Sequence, residues 1–209
     1  MSVNAELVGK RASRTQHDVH LAIAELNASF VRVLIEMAQL DAASTSDFIT
    51  ALRVPLLALA TPACALAARM PVLLLEIESR NAIWWQAASV DPLKTVAAQS
   101  ATLILPRARA VKLTRSILTL AWLLSRTDRE NAVVSLGMSV PVITLVSALQ
   151  PSQLDAIAER QYAHLRPRWM DQLALWKRLL SSQANEPDSV RSCTYRLLQL
   201  SYPCRYGAS

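Results

Sequence analysis

The chain has 209 residues, 52% of them hydrophobic, with a formal net charge of +6 and a pI near 9.7. That length gives one large or two small domains with ample apolar material for a core. Only three glycines and two phenylalanines stand against abundant Leu and Ala, which argues against Gly-rich turn architectures and for helix throughout. The basic balance suits a polyanionic partner such as nucleic acid.

Residues 1–13 read as a disordered basic lead. Ser13 or Thr15 can cap a helix running to about Asp41. Within it Val19, Ile23, Leu26, Phe30, Val33, Met37 and Leu40 alternate spacings of four and three, an a/d seam held for three heptads. Such a seam serves either a core helix in a bundle or a pseudo-dimer interface. A short helix follows from Ser46 or Asp47 to Leu52. Pro55 and Pro62 each open another, with Thr61 as N-cap of the second. Val72–Ile77 is an apolar run readable as a strand or a helix end. Trp84 and Trp85 sit in the segment from Arg80 to Ser89, and a further helix is expected from Asp91 to Gln99. Pro106 marks a boundary. Arg107, Arg109, Lys112 and Arg115 then place four positive charges at the start of a second long helix, which ends near Ser125.

Asp128 starts a short helix that stops at Gly137, a residue suited to a helix C-terminus. Ser139, Pro141 and Leu149 frame the next, and Ser152 to Tyr162 forms another. Arg168 to Leu180 is amphipathic, with Trp169, Leu173, Trp176 and Leu180 on one face. A last helix spans Ser189 to Leu200. Four of the five tryptophans, Trp84, Trp85, Trp169 and Trp176, read as core or interface anchors.

This order of elements occurs twice. A long apolar helix, a short helix, a Pro-opened helix, a helix ending in small residues and an Arg/Trp segment recur after 84 to 89 residues. The Pro-opened helices are Val54-Pro55-Leu56-Leu57 and Val140-Pro141-Val142-Ile143. A fused pair of helical modules implies an ancestor that worked as a dimer. The organisation expected is a first repeat over 14–100, a second over 107–182, and a C-terminal helix and tail over 183–209. The long helices 14–41 and 107–125 would then cross about a pseudo-twofold axis.

Several kinds of chemistry have no residues to carry them. The chain has no Gly-rich phosphate loop, no His-x-x-x-His pair and no Cys-x-x-Cys. His17 and His20 lie one turn apart without a third ligand, and Asp155 with Glu159 reads as a solvated helix face. No enzyme activity, cofactor, metal or small-molecule substrate is expected. Residues 131–154 and 54–68 are uncharged, yet their prolines fit successive short helices better than one membrane span. Met1 to Glu6 has no apolar signal region, so a cytoplasmic location is expected; Cys64 reads as a core residue, and Cys193 and Cys204, eleven apart, are expected reduced there and could pair in an oxidising setting.

Asp128-Arg129-Glu130-Asn131-Ala132, Ser135-Leu136-Gly137-Met138, Ala148-Leu149-Gln150-Pro151-Ser152-Gln153-Leu154 and Ile157-Ala158-Glu159 together resemble the FlhD subunit of the flagellar master regulator. That family shows a long first helix, a Leu-Gly step, an Ala-Leu-x-x-Pro-Gln turn and a Leu-Ala-Glu helix; here the proline falls one place early. The first half is similar more loosely through Leu52, Leu59-Ala60-Thr61-Pro62 and Leu66-Ala67, with Arg53 in place of the glycine. The resemblance implies an all-α transcription regulator whose protomers intertwine as a dimer and act with an FlhC-like subunit on promoter DNA. The double length implies one chain supplying both halves of that dimer; a homo-oligomer is also compatible. The family's inter-subunit cysteine has no counterpart.

Candidate DNA contacts are Arg107, Arg109, Lys112, Arg115, Arg166 and Arg168; as a plain alternative, the same charges form a solvated helix surface. Kept at a helix N-terminus against the helix dipole, the first four hint at an anionic partner. The alternative function is a helical adaptor or chaperone of a secretion or conjugation system that uses the same apolar grooves without DNA.

Overall fold

A computed structural model describes residues 3–40, 45–59, 70–90 and 105–181, with side chains from residue 16 to 180. Its elements are α1 (Val3–Gln39), α2 (Asp47–Ala58), β1 (Leu75–Ile77), α3 (Ala82–Val90), α4 (Arg107–Thr127), α5 (Arg129–Val134), α6 (Val140–Ala148), α7 (Pro151–Gln161), a 3-10 turn (Tyr162–His164), β2 (Leu165–Pro167) and α8 (Leu173–Ser181). Among the described residues the protein is all-α apart from one two-stranded ribbon. The helix expected to open at Pro62, those expected over 91–99 and 189–200, and all three cysteines lie outside the described residues.

Among the described residues α1 and α4 are the longest helices, with 37 and 21 residues, and they pack against each other. α1 begins at Val3, so the expected disordered lead is helical from that residue on. Its buried stripe also differs from the expected seam. Val19, Ile23, Phe30 and Val33 of that seam are buried, with Asn27 and Leu34 beside them, whereas Leu26 and Met37 are half-buried and Leu40 is 49% exposed. The true stripe keeps the four-three spacing but shifts one residue C-terminal to Leu26 and Met37, and Leu40 lies beyond the helix end. Asn27 sits in it because its amide clamps the approach to β1: Nδ2 donates to the Val72 carbonyl at 2.9 Å, and Oδ1 accepts from the Leu74 N–H at 2.8 Å. Both groups would otherwise be buried without partners.

α2 runs straight through Pro55 rather than stopping at Leu52. Ser46 caps its N-terminus, and burial of Phe48, Ile49, Leu52 and Leu56 holds the helix despite the hydrogen bond Pro55 cannot donate. The later helices start where local chemistry dictates. Asp128 accepts from the Asn131 N–H at 3.0 Å, Pro141 occupies the first turn of α6, and Gln150 with Gln153 closes a reciprocal capping box ahead of α7.

The first and last parts of the chain interleave. β1 pairs antiparallel with β2, Leu75 facing Pro167, Glu76 facing Arg166 and Ile77 facing Leu165. α2 packs on α8, and α3 packs on α6. Apolar residues of both strands point inward while Glu76 and Arg166 meet on the outer side. The described apolar side chains from α1 through α8 form one continuous core.

Each strand is followed by a residue with left-handed backbone, Glu78 (φ 43) and Trp169 (φ 56). Each of the two turns is held by a buried indole: Trp85 Nε1 donates to the Glu78 carbonyl and Trp176 Nε1 to the Arg168 carbonyl, both at 2.9 Å. Trp169 and Trp176 are buried, at 2% and 1% exposure. They do not share a helical face, however, because residues 168–171 are turn and α8 begins at Leu173.

Candidate nucleic-acid interface

The basic residues at the start of α4 are surface residues, and most of them already have partners. The Arg107 guanidinium lies 5.4 Å from the centroid of the Tyr162 ring. Arg109 Nη2 is 3.7 Å from Glu36 Oε2 of α1, both side chains about half exposed. Lys112 is exposed. Arg115 forks between two carboxylates one turn apart on α7: Nε donates to Asp155 at 2.8 Å and Nη2 to Glu159 at 2.7 Å. One guanidinium facing two carboxylates leaves that end of the strip locally negative. The net positive charge of the strip therefore lies at its Arg107–Lys112 end.

The other two candidates lie apart from this strip, at the ribbon. Arg166 is on the outer face of β2, its Nε donating to Glu76 at 2.8 Å. Arg168 is only 5% exposed. It stacks over the Trp169 ring, donates to the Ser135 carbonyl, and lies against Gly137. Arg168 is thus packed into the core and offers nothing to a phosphate. The periodicity that placed it on an exposed helix fails because the segment is a strand and a turn.

Sequence reasoning missed a partly buried polar cluster beside the ribbon. His164 Nδ1 lies 3.1 Å from Glu78 Oε1, and Trp84 Nε1 donates to His164 Nε2 at 3.4 Å. Asn81 Nδ2 donates to the other Glu78 oxygen at 2.9 Å. An Nε2 that accepts from the indole implies a proton on Nδ1, donated to Glu78. The His164 hydrogen bond is the main reason the Glu78 carboxyl is held below its ordinary value; the Asn81 bond and the charge of Arg166 act the same way, against burial. No signal local to either residue could have joined positions 86 apart in sequence.

Among the described residues no group of three or more His, Cys, Asp or Glu could hold a metal ion, and no helix is long and apolar enough to cross a membrane. The class of protein this defines is an all-helical module joined through a short ribbon, with a basic helix start at its surface. Residues 107–199 match the family model of the flagellar transcriptional activator FlhD. The match opens on the first residue of α4, and the family is one of transcriptional regulators. No curated protein and no solved structure matches the chain.

Proposed function

We propose that the protein is a transcriptional regulator subunit of FlhD-like type, in which one chain supplies both halves of an intertwined pseudo-dimer and acts with an FlhC-like partner on promoter DNA. The observation that carries this reading is the family match over 107–199. The reciprocal packing supports the pseudo-dimer. Each half ends in a strand, a left-handed turn and a Trp-bearing helix, and each of those helices packs on the Pro-containing helix of the other half. Arg107, Arg109 and Lys112 are the phosphate contacts of this reading, with Arg166 a secondary one; the protein acts in the cytoplasm.

The test is a salt series of promoter-DNA binding by the complex with its co-expressed partner. Neutralising Arg107, Arg109 and Lys112 together should weaken binding at every sequence and reduce the slope of log affinity against log salt by up to about 3. Neutralising Arg115, already paired with two carboxylates, should change the slope by less than about 1. An unchanged slope in the triple variant assigns DNA contact to the partner. The second reading, a helical adaptor without DNA contact, draws its support from the same ion pairs: Arg109 and Arg115 both face carboxylates of their own chain.

A further inference from the structure

The β1–β2 ribbon carries a charge pattern of which the DNA-binding reading uses only Arg166. At the centre of the register Glu76 faces Arg166. One step outward Glu78 meets His164, and on the other side the Arg168 N–H reaches the Leu74 carbonyl at 2.8 Å. Over the paired stretches 74–78 and 164–168, carboxylates lie along the first only and basic side chains along the second only. Two copies of one segment meeting about the same centre would be opposed: Glu76 against Glu76, or Arg166 against Arg166.

We propose that this ribbon is a pairing-specificity device, in which the β1 segment accepts the β2 segment and each rejects a second copy of itself. It rests on reading the two halves as equivalent, and not on contact with DNA. Opposite charges directly across an antiparallel pair are favourable and like charges unfavourable. The effect is strengthened at Glu76, whose side chain is 10% exposed and whose second oxygen accepts from Ser79 Oγ at 2.9 Å. A carboxylate so enclosed is costly to leave opposite a like charge. An apolar pair at this position would join the strands equally well, but it would join like with like too. A short ribbon also exposes unpaired backbone to other chains, and a charge code limits what that backbone can recruit.

Charge reversal in the intact chain tests the device. Glu76→Arg reproduces the Arg–Arg pair that two β2 segments would make, Arg166→Glu reproduces the Glu–Glu pair of two β1 segments, and the double exchange restores opposite charges with reversed polarity. The Ser79 hydroxyl can turn to accept from an arginine. Hydrogen exchange of the ribbon amides, read by mass spectrometry on the full chain, reports opening of the pair. Each single reversal should raise the opening constant about five-fold or more, and the double exchange should return it to within about two-fold of the unaltered chain. Singles that exchange like the unaltered chain, or a double variant that opens by the product of the two single effects, overturn the proposal. If a single variant fails to fold, the double decides: a folded double supports the code and an unfolded double sinks it. Promoter binding by the unaltered complex is measured beside these, so loss of the regulator reading leaves the exchange result standing.

Discussion

Gly137 shows how one residue holds two elements in place. Its φ of +69 ends the α5 turn in a conformation that L-residues adopt at a cost of about 1–2 kcal/mol. A Cβ there would also overlap the Arg168 guanidinium, which is buried and cannot swing to solvent without leaving Trp169 and Ser135. Gly137→Ala should therefore lower the melting temperature by about 4 °C or more for a chain of this size; an unchanged midpoint would mean that the loop and Arg168 rearrange freely. Glu78 makes a different prediction. Its carboxyl is held below the ordinary value of 4.5 in the folded protein. A depressed carboxylate contributes stability that is present above the unfolded value and lost as pH falls through the folded one. The unaltered chain should then lose stability from about pH 5 downward more steeply than Glu78→Gln, with the variant weaker at neutral pH and the two curves converging in acid. Parallel curves would show that the His164 contact does not distinguish the ionised from the protonated carboxyl.

Elements were legible where their signals are local. The helices from Asp128 to Gln161 follow from an acidic cap, two first-turn prolines and a capping box, all within a few residues of the ends they fix. Three-residue strands carry too little periodicity to be told from loop, and β1 acquires its partner from 90 residues away. Arg168 was misplaced for the same reason: a charge in sequence reads as surface until the strand and turn that bury it are known. In α1 the four-three spacing was visible, but choosing Leu26 over Asn27 followed hydrophobicity where the fold needed a backbone clamp. α8 is held chiefly by Trp176, which meets Phe30 edge-on at 6.3 Å and Phe48 at 5.4 Å while its indole N–H fixes the turn behind it. Trp176→Ala should cost about 3–5 kcal/mol in chemical denaturation. A loss below about 1 kcal/mol would mean that α8 is not anchored to α1 and α2 by this side chain.

For the whole molecule, the all-helical class was readable from composition, but the packing of α3 on α6 and of α2 on α8 was not. Nothing in the sequence near Val140 announces that α3 covers α6, or that Gln153 donates to the Ser89 carbonyl at 3.0 Å and ties α7 to the end of α3. Such ties make separation of the halves expensive, because a break at the ribbon also uncovers α2 and α6. The basic strip had the reverse fate: its residues were visible, but the carboxylates facing them come from α1 and α7.

The covalent continuity of β1 and β2 carries a kinetic consequence. Two separate subunits would meet in a second-order step and come apart on dilution; strands of one polypeptide close in a first-order step, at an effective concentration that can reach the millimolar range and does not depend on how many copies a cell holds. A protein present at a handful of molecules would remain fully paired. The two unlike faces are also made in strict one-to-one ratio by the act of synthesis, with no assembly equilibrium to regulate.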